Sequence, residues 1–321
     1  MLSGFFYELI KGVLRMANLN YTAIFSEIYS ELKNIENTGI VAQYIPELRG
    51  VDANNFGVCL TGLDGKSYNF RDAQKKFSIQ SIAKVLALTM AYDILGEKLW
   101  ERVGVEPSGT AFNSLVQLES EKGIPRNPLI NPGALVISDI LVSELKEPKK
   151  ELLAFVNKIC NNNIQFSEDV AESEKSCAYT NTALINLMKS FGNINNDISE
   201  VMDFYFYLCS IEMTCEELSQ TFLYLANDGV CPKSKVRVTT PENSKRINSI
   251  MQLCGFYDEA GDFSFKVGLP GKSGVGGGIV VVRPHKFSMV VWSPKLNPKG
   301  NSFLGTKFLE SFTTKIDYSI F

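Results

Sequence analysis

The sequence predicts an α/β (α+β) fold of two lobes, with one antiparallel sheet built from both ends of the chain, flanked by helices, and a mainly helical lobe inserted between. Three observations carry this. Short runs of β-branched and aromatic residues lie near both ends of the 321 residues and not through the middle. From about Leu99 to Ser249 the apolar spacing is helical, with long polar connections. Before that stretch comes Phe77 to Gly96, FSIQSIAKVLALTMAYDILG, which after a polar start is apolar nearly all round, as a helix at the centre of a domain is.

Taken in order, Asn20 to Lys33 places Ile24, Phe25, Ile28, Tyr29 and Leu32 on one helical face. VAQYIPELRG reads as an extended segment fixed by Pro46. The runs Phe56–Thr61 and Ser67–Phe70 flank Asp64-Gly65 as a hairpin. Helices are expected over Leu135–Leu145, Lys150–Cys160, Asn181–Phe191 and Glu216–Asn227. Three strands follow, Phe263–Gly268, Gly278–Arg283 and Lys286–Trp292, then a closing helix over Gly305–Phe312. This places one lobe at 17–80 with 246–321 and the helical lobe at 81–245. Residues 1–16 form an extension broken by Glu8, Lys11 and Arg15, a poor signal peptide and too short to span a membrane. It reads as an amphipathic extension, or as sequence upstream of a natural start at Met16.

Composition narrows the function. Lys and Arg number 32 against 35 acids, and no basic block stands out, which argues against nucleic acid as a partner. No stretch has transmembrane length. The seven cysteines form no C-x-x-C and are odd in number, which points to reduced thiols and a cytoplasmic location. The single histidine, His285, sits in a turn-like Pro-His-Lys between two strand-like runs, an unsuitable place for a Ser-His-Asp triad or a metal site. No metal is expected. A hydrolase here would need a base other than histidine.

Lysine is the alternative. Ser81 and Lys84, at i and i+3, open the buried helix and share a face. Burial disfavours the charged amine, so Lys84 is suited to take the proton of a Ser81 nucleophile near a helix N-terminus. S-x-x-K also occurs at Ser30-Lys33 and Ser143-Lys146, both in polar SELK contexts that read as exposed helix faces. A second element is Lys272-Ser273-Gly274 in GLPGKSGVGGG, just before the strand IVVVR. Lys266 standing where that motif needs glycine, and a strand following where a helix should, argue against a phosphate-binding loop. The stretch reads either as a glycine-rich hairpin or as the K-[ST]-G strand of serine acyl-transfer enzymes, with the N–H groups of Val275 and Ser81 directed at an oxyanion. A third element, Ser173 to Asn181, falls between the two in chain order. There Asn181 is either a substrate contact or the N-cap of the next helix.

Longer stretches carry a resemblance. YIPEL at Tyr44, QSIAK at Gln80, VEPSGTAFNS at Val105, PRNPLINPGAL ending at Leu135, and SEKSCAYTN at Ser173 come first. DFYFYLCSIEMTC at Asp203, LANDGVCP at Leu225, CGFYD at Cys254, GLPGKSGVGGGI at Gly268 and WSPKLNPKGNS at Trp292 follow in one order. Together they resemble the serine-dependent glutaminases, in their short bacterial form, over nearly the whole chain. The resemblance implies a β-lactamase/penicillin-binding-protein-like fold and hydrolysis of L-glutamine to L-glutamate and ammonia through a Ser-linked γ-glutamyl intermediate, without a cofactor. It implies catalytic Ser81, Lys84 and Tyr257, substrate contacts at Tyr44, Ser81, Asn131, Glu174, Asn181, Tyr205, Tyr257 and Val275, and a homodimer or homotetramer. Glu174 suits the α-ammonium of a free amino acid, and Asn and Tyr suit its α-carboxylate. Where the family often has Ala at position 132 and Asp-Arg at 179–180, this chain has Pro132 and Tyr179-Thr180. The alternatives are a penicillin-interacting serine hydrolase, whose substrates lie outside the cytoplasm, and an amino-acid sensor without turnover.

Overall fold

The computed structural model describes residues 19–109 and 113–321. The N-terminal extension at 1–16 and part of the VEPSGTAFNS stretch lie outside these residues.

The amphipathic first segment forms helix α1, Tyr21–Leu32, opened by Asn20, whose side chain accepts from Ala23 N–H at 3.1 Å. After a two-residue strand β1, Ile40–Val41, the expected hairpin is β2, Gly57–Gly62, and β3, Ser67–Arg71. Near the other end, β7 (Gly271–Ser273), β8 (Gly278–Arg283) and β9 (Phe287–Trp292) complete one five-stranded sheet in the order β3-β2-β9-β8-β7, each pair antiparallel. The sheet therefore closes where the chain's two ends meet, with Gly57 opposite Trp292. His285 lies in the turn between β8 and β9.

Both faces of the sheet are covered, which is why β8 and β9 read as continuous apolar runs. Ile279, Val281, Phe287, Met289 and Val291 pack with α1 and the closing helix, whereas Val280, Val282, Val290 and Trp292 face the larger core. That closing helix, Phe303–Ile316, packs on α1. The other face is covered by Cys215–Ala226, whose first turn carries a capping box between Thr214 and Glu217. We propose the division at 81 and 245 as two lobes, with the helix Cys215–Ala226 belonging by packing to the sheet.

The central stretch is more articulated than one helix. Phe77–Ser78 is a short strand, β4, in a three-stranded sheet with Gln165–Phe166 (β5) and Ile211–Met213 (β6). Gln80–Ile82 is a 3-10 turn, and helix α2 runs Ala83–Leu95 with Ala83 to Thr89 all buried. Against it packs α3, Asn131–Glu144. Asp139 of α3 is fully buried, salt-bridged to Arg102 at 2.6 Å, and accepts from the N–H groups of Asn195 and Asn196. Helices α4 (Pro148–Cys160) and α5 (Glu168–Ser176) intervene in sequence, and these bonds tie the second half of α3 to the loop after α6 (Tyr179–Ser190).

Two sequence expectations are corrected. Phe263–Gly268 is not a strand, because the helix Ala260–Lys266 occupies it. Buried Ala260, Phe263 and Val267 follow helical spacing, Phe263 stacks on Phe256 at 3.5 Å between centroids, and Asp262 pairs with Lys266 at i,i+4. The third C-terminal strand is instead Gly271–Ser273. Pro46 does not hold an extended segment; it opens a one-turn helix, Pro46–Arg49, at the position that tolerates its missing N–H.

Burial alone would raise the Asp139 carboxyl, but hydrogen bonds from Asn196, Arg102 and Asn195 outweigh it and hold it below the usual carboxylate range. Such a group stabilises the fold above its unfolded pKa, and that stability is lost as pH falls through the folded one. Asp139→Ala should cost about 3 kcal/mol in urea unfolding at pH 7. The difference from wild type should shrink as pH drops below about 4.

Candidate active site

Ser81 is delivered by a strained turn. Gln80, immediately before it, has φ +51 and is 2% exposed. A left-handed non-glycine residue costs on the order of 1 kcal/mol or more and persists only where its surroundings over-determine it. Several contacts do so here. Ile79 N–H donates to Ile211 O at 2.9 Å, Ser78 Oγ donates to Cys209 O at 3.0 Å, and Gln80 Nε2 donates to Ser78 Oγ at 3.0 Å.

The glycine-rich loop after β7 supplies the rest. A Cβ on Gly274 would lie 2.5 Å from Ile79 O, and one on Gly276 would lie 2.2 Å from Ser78 O. These glycines therefore let the loop press against the backbone that carries the serine, rather than only admit a substrate. Trp292 secures the arrangement, stacking on Phe77 and donating Nε1–H to Gly276 O at 3.0 Å. Ser273 N–H donates to Gly255 O at 3.1 Å, which brings the segment around Tyr257 alongside β7.

Above this turn opens a cleft of about 400 Å³. Its walls include Tyr44, Ser81, Asn131, Glu174, Asn181, Tyr205, Tyr257 and Val275, so every substrate contact expected from the sequence lies in one cavity. Gln80, Asn113, Cys177, Ala178, Thr180 and Cys209 line it too and were not anticipated. Tyr44 is 55% exposed and stands at the mouth, while Glu174, Tyr205 and Tyr257 are buried. A larger groove of about 1150 Å³ elsewhere touches Tyr257 and none of the other candidates. Lys272 and Ser273 are wholly buried beside the cleft. Asn181 does not cap its helix, because α6 begins at Tyr179; its Oδ1 instead accepts from Asn131 Nδ2 at 3.0 Å. Tyr179 itself is 84% exposed and packs in no core.

The electrostatics centre on buried amines. Lys84 is 1% exposed, and its Nζ donates to Asn131 Oδ1 at 2.7 Å and to Leu129 O at 3.4 Å. Burial holds its ammonium down to about 8, although the nearby Cys209 and Glu174 pull the other way. Burial likewise pushes the Glu174 carboxyl up to about 7, against a hydrogen bond from Gln80 and the charge of Lys84. The Tyr257 phenol is raised well above its usual range by burial, and a hydrogen bond with Ser81 brings it part of the way back. Lys272 lies 4.7 Å from the Tyr257 ring centroid, donates to Ser273 O at 2.5 Å, and is held well below the usual lysine range by burial and by Lys84. The other two S-x-x-K serines and lysines, at 30, 33, 143 and 146, are all exposed.

Residues 39–321 match the Glutaminase family. The chain belongs to the glutaminase family. It is 56% identical over 307 residues to a glutaminase of Saccharophagus degradans, covering 95% of this chain and 100% of that one. It is 54% identical over 304 residues to a glutaminase of Christiangramia forsetii, covering 94% and 100%. Among solved structures, the probable glutaminase ybaS superposes with a TM-score of 0.89 at 31% identity, over 94% of this chain and 97% of that one. A probable glutaminase from Bacillus subtilis, complexed with 6-diazo-5-oxo-L-norleucine, superposes with a TM-score of 0.82 at 28% identity, over 93% and 94%. The glutaminase fold, β-lactamase-like, is thus that of this chain.

The loop's closeness to Ser78 is testable. Gly276→Ala should push the Ser78–Ser81 turn out of place and lower glutaminase turnover on the order of 100-fold. Alanine at Gly261, where nothing lies within 4 Å of an added Cβ, should leave turnover unchanged.

Proposed function

We propose that this glutaminase hydrolyses L-glutamine to L-glutamate and ammonia through a γ-glutamyl ester on Ser81. The observation that supports it best is the cleft itself, where a serine on a strained turn and a buried carboxylate share one small volume, with the amine of Lys84 held near neutrality behind the wall residue Asn131. Ser81 Oγ attacks the side-chain amide carbon and its proton passes to neutral Lys84. The N–H groups of Ser81 and Val275 receive the oxyanion. The C–N bond breaks as Lys84 or Tyr257 delivers a proton to the departing ammonia, and water cleaves the ester along the reverse proton path.

Glu174 receives the α-ammonium, and Asn131, Asn181 and the tyrosines receive the α-carboxylate. An analogue without the α-amine leaves Glu174 buried and unpaired, which favours a free amino acid over a peptide. The chain acts in the cytoplasm in this reading, which is supported by seven unpaired cysteines, six of them buried. No helix among the described residues is long and apolar enough to cross a membrane. A homodimer or homotetramer is proposed, supported by exposed Leu253 and Phe265 (89%) beside the larger groove. Light scattering on wild type and Phe265→Asp tests it, and a monomeric wild type would overturn it.

Ser81→Ala should abolish ammonia release from L-glutamine while the fold melts normally, with no turnover of a chromogenic cephalosporin by either protein. Turnover of the cephalosporin and not of glutamine would reject the substrate. Labelling by 6-diazo-5-oxo-L-norleucine should map to Ser81.

The pH profile follows from the two buried groups. Lys84 must be neutral to act as base, so kcat/KM should rise through about pH 8. Glu174 must be ionised to bind the ammonium, so a second loss sets in below about pH 7. Glu174→Gln should raise KM on the order of 100-fold and remove the lower step alone. A profile flat from pH 6 to 9 would reject both assignments.

A further inference from the structure

Tyr257 and Val275 share a neighbour that takes no part in the proton path, the turn Asn297–Asn301. Within it, Asn297 N–H donates to Asn301 O at 2.8 Å, and Asn297 Oδ1 accepts from Lys299 N–H and Asn301 N–H, each at 3.0 Å. Gly300, at φ +89, presents its Cα to the site; a Cβ there would lie 3.5 Å from Tyr257 Cε2 and 4.0 Å from Val275 Cγ1. The turn is tied to the segment that carries Tyr257. Glu259 Oε2 accepts from Asn297 Nδ2 at 2.8 Å and from Asn301 Nδ2 at 2.5 Å, and Lys299 pairs with Asp258. Glu259 in turn donates its N–H to Phe256 O at 2.8 Å and accepts from Phe263 N–H at 2.9 Å, opening the helix Ala260–Lys266.

Tyr257 needs such a hold. Its backbone is left-handed, at φ +52, so the direction of its ring is set by its surroundings rather than by local preference. The buried amine of Lys272 lies over the ring, and Gly300 borders it as well as Val275.

We infer that the Asn297–Asn301 turn, clamped by Glu259, is a positioning device that holds the Tyr257 ring and the Val275 backbone in mutual register for the reaction. This rests on the roles proposed above for those two residues. Glu259, Asn297 and Asn301 touch no reacting atom in this scheme; they act through Tyr257 and Val275. Small displacements of Tyr257 weaken proton delivery to the leaving nitrogen, which the amide needs more than an ester does. Those of Val275 weaken the oxyanion contact on any acyl substrate, while Glu174 and the two asparagines are left to bind substrate.

The test compares Glu259→Ala and Tyr257→Phe with wild type on L-glutamine and on L-glutamate γ-methyl ester, whose alkoxide needs less help to leave than ammonia does. Glu259→Ala should lower kcat on glutamine on the order of 100-fold with KM changed less than about twofold. The loss on the ester should be smaller by about tenfold or more. Should Glu259→Ala fail to fold, Asn297→Asp sets two carboxylates against each other, and Glu259→Gln added to it should restore turnover. A folded Glu259→Ala with wild-type kcat, an equal loss on both substrates, or no rescue in the double variant would overturn the inference while Tyr257→Phe remains impaired. Wild-type kcat in Tyr257→Phe would overturn both the inference and the role of Tyr257 on which it rests.

Discussion

The structure depends on a lysine amine kept out of water. Desolvating an ammonium costs several kcal/mol, and a protein accepts this only where polar partners offset part of it or where the proton leaves. Around Lys84 both conditions hold. Asn131 Oδ1 and the Leu129 carbonyl accept from its Nζ, and the remaining burial brings the ammonium down to about 8. The amine can stay buried only because α2 is interior along its first two turns and α3 presents Asn131 at its own first turn. The Asp139–Arg102 bridge and the loop after α6 then serve the amine indirectly by fixing α3.

The same constraint explains the glycines. The serine must sit at the entrance of a helix whose interior is apolar, so its backbone enters through a left-handed Gln80. A loop with side chains could not lie against that entrance; Gly274 and Gly276 can. The strand β7, the loop and the turn Ser78–Ser81 thus form one packed unit drawn from residues far apart in sequence, and Trp292 binds the unit to the sheet.

Much of this was legible in the sequence. The buried helix, the outer hairpin and the paired C-terminal strands followed from periodicity, because apolar runs covered on both faces leave a plain signal. The proposed serine and lysine were read from apolar context and the absence of a usable histidine, Asn181 and Val275 from short motifs, and Tyr44, Asn131, Glu174, Tyr205 and Tyr257 from resemblance over long stretches. What escaped was set by tertiary context. Phe263–Lys266 has a strand's composition, yet its aromatic at 263 stacks on Phe256 and Phe265 points to solvent. Asn181 resembled a cap, but helix α6 starts two residues earlier and frees its side chain to meet Asn131. Gln80 gave no warning, since nothing in QSIAK marks a residue whose backbone must be left-handed. Cys177 and Cys209 read as ordinary reduced thiols, and only the fold brings them to the cleft wall.

The pairing of β2 with β9 bears on how the molecule comes to exist. Val58 lies opposite Val291, so the central ladder of the sheet cannot begin until nearly the whole chain has been synthesised. Closing so long a loop is entropically costly and slow, and until it happens the apolar faces of the first hairpin and of the helix Cys215–Ala226 lack their cover. The helical segment between can collapse early on local contacts, yet the glycine-rich loop after β7, Tyr257 and the turn Asn297–Asn301 all arrive with the last third of the chain. A nascent or truncated polypeptide therefore carries Ser81 and Lys84 without the cleft walls that Tyr257 and Val275 supply. Competence arises in one late step, and exposure of unpaired strands to other chains is confined to the interval before it.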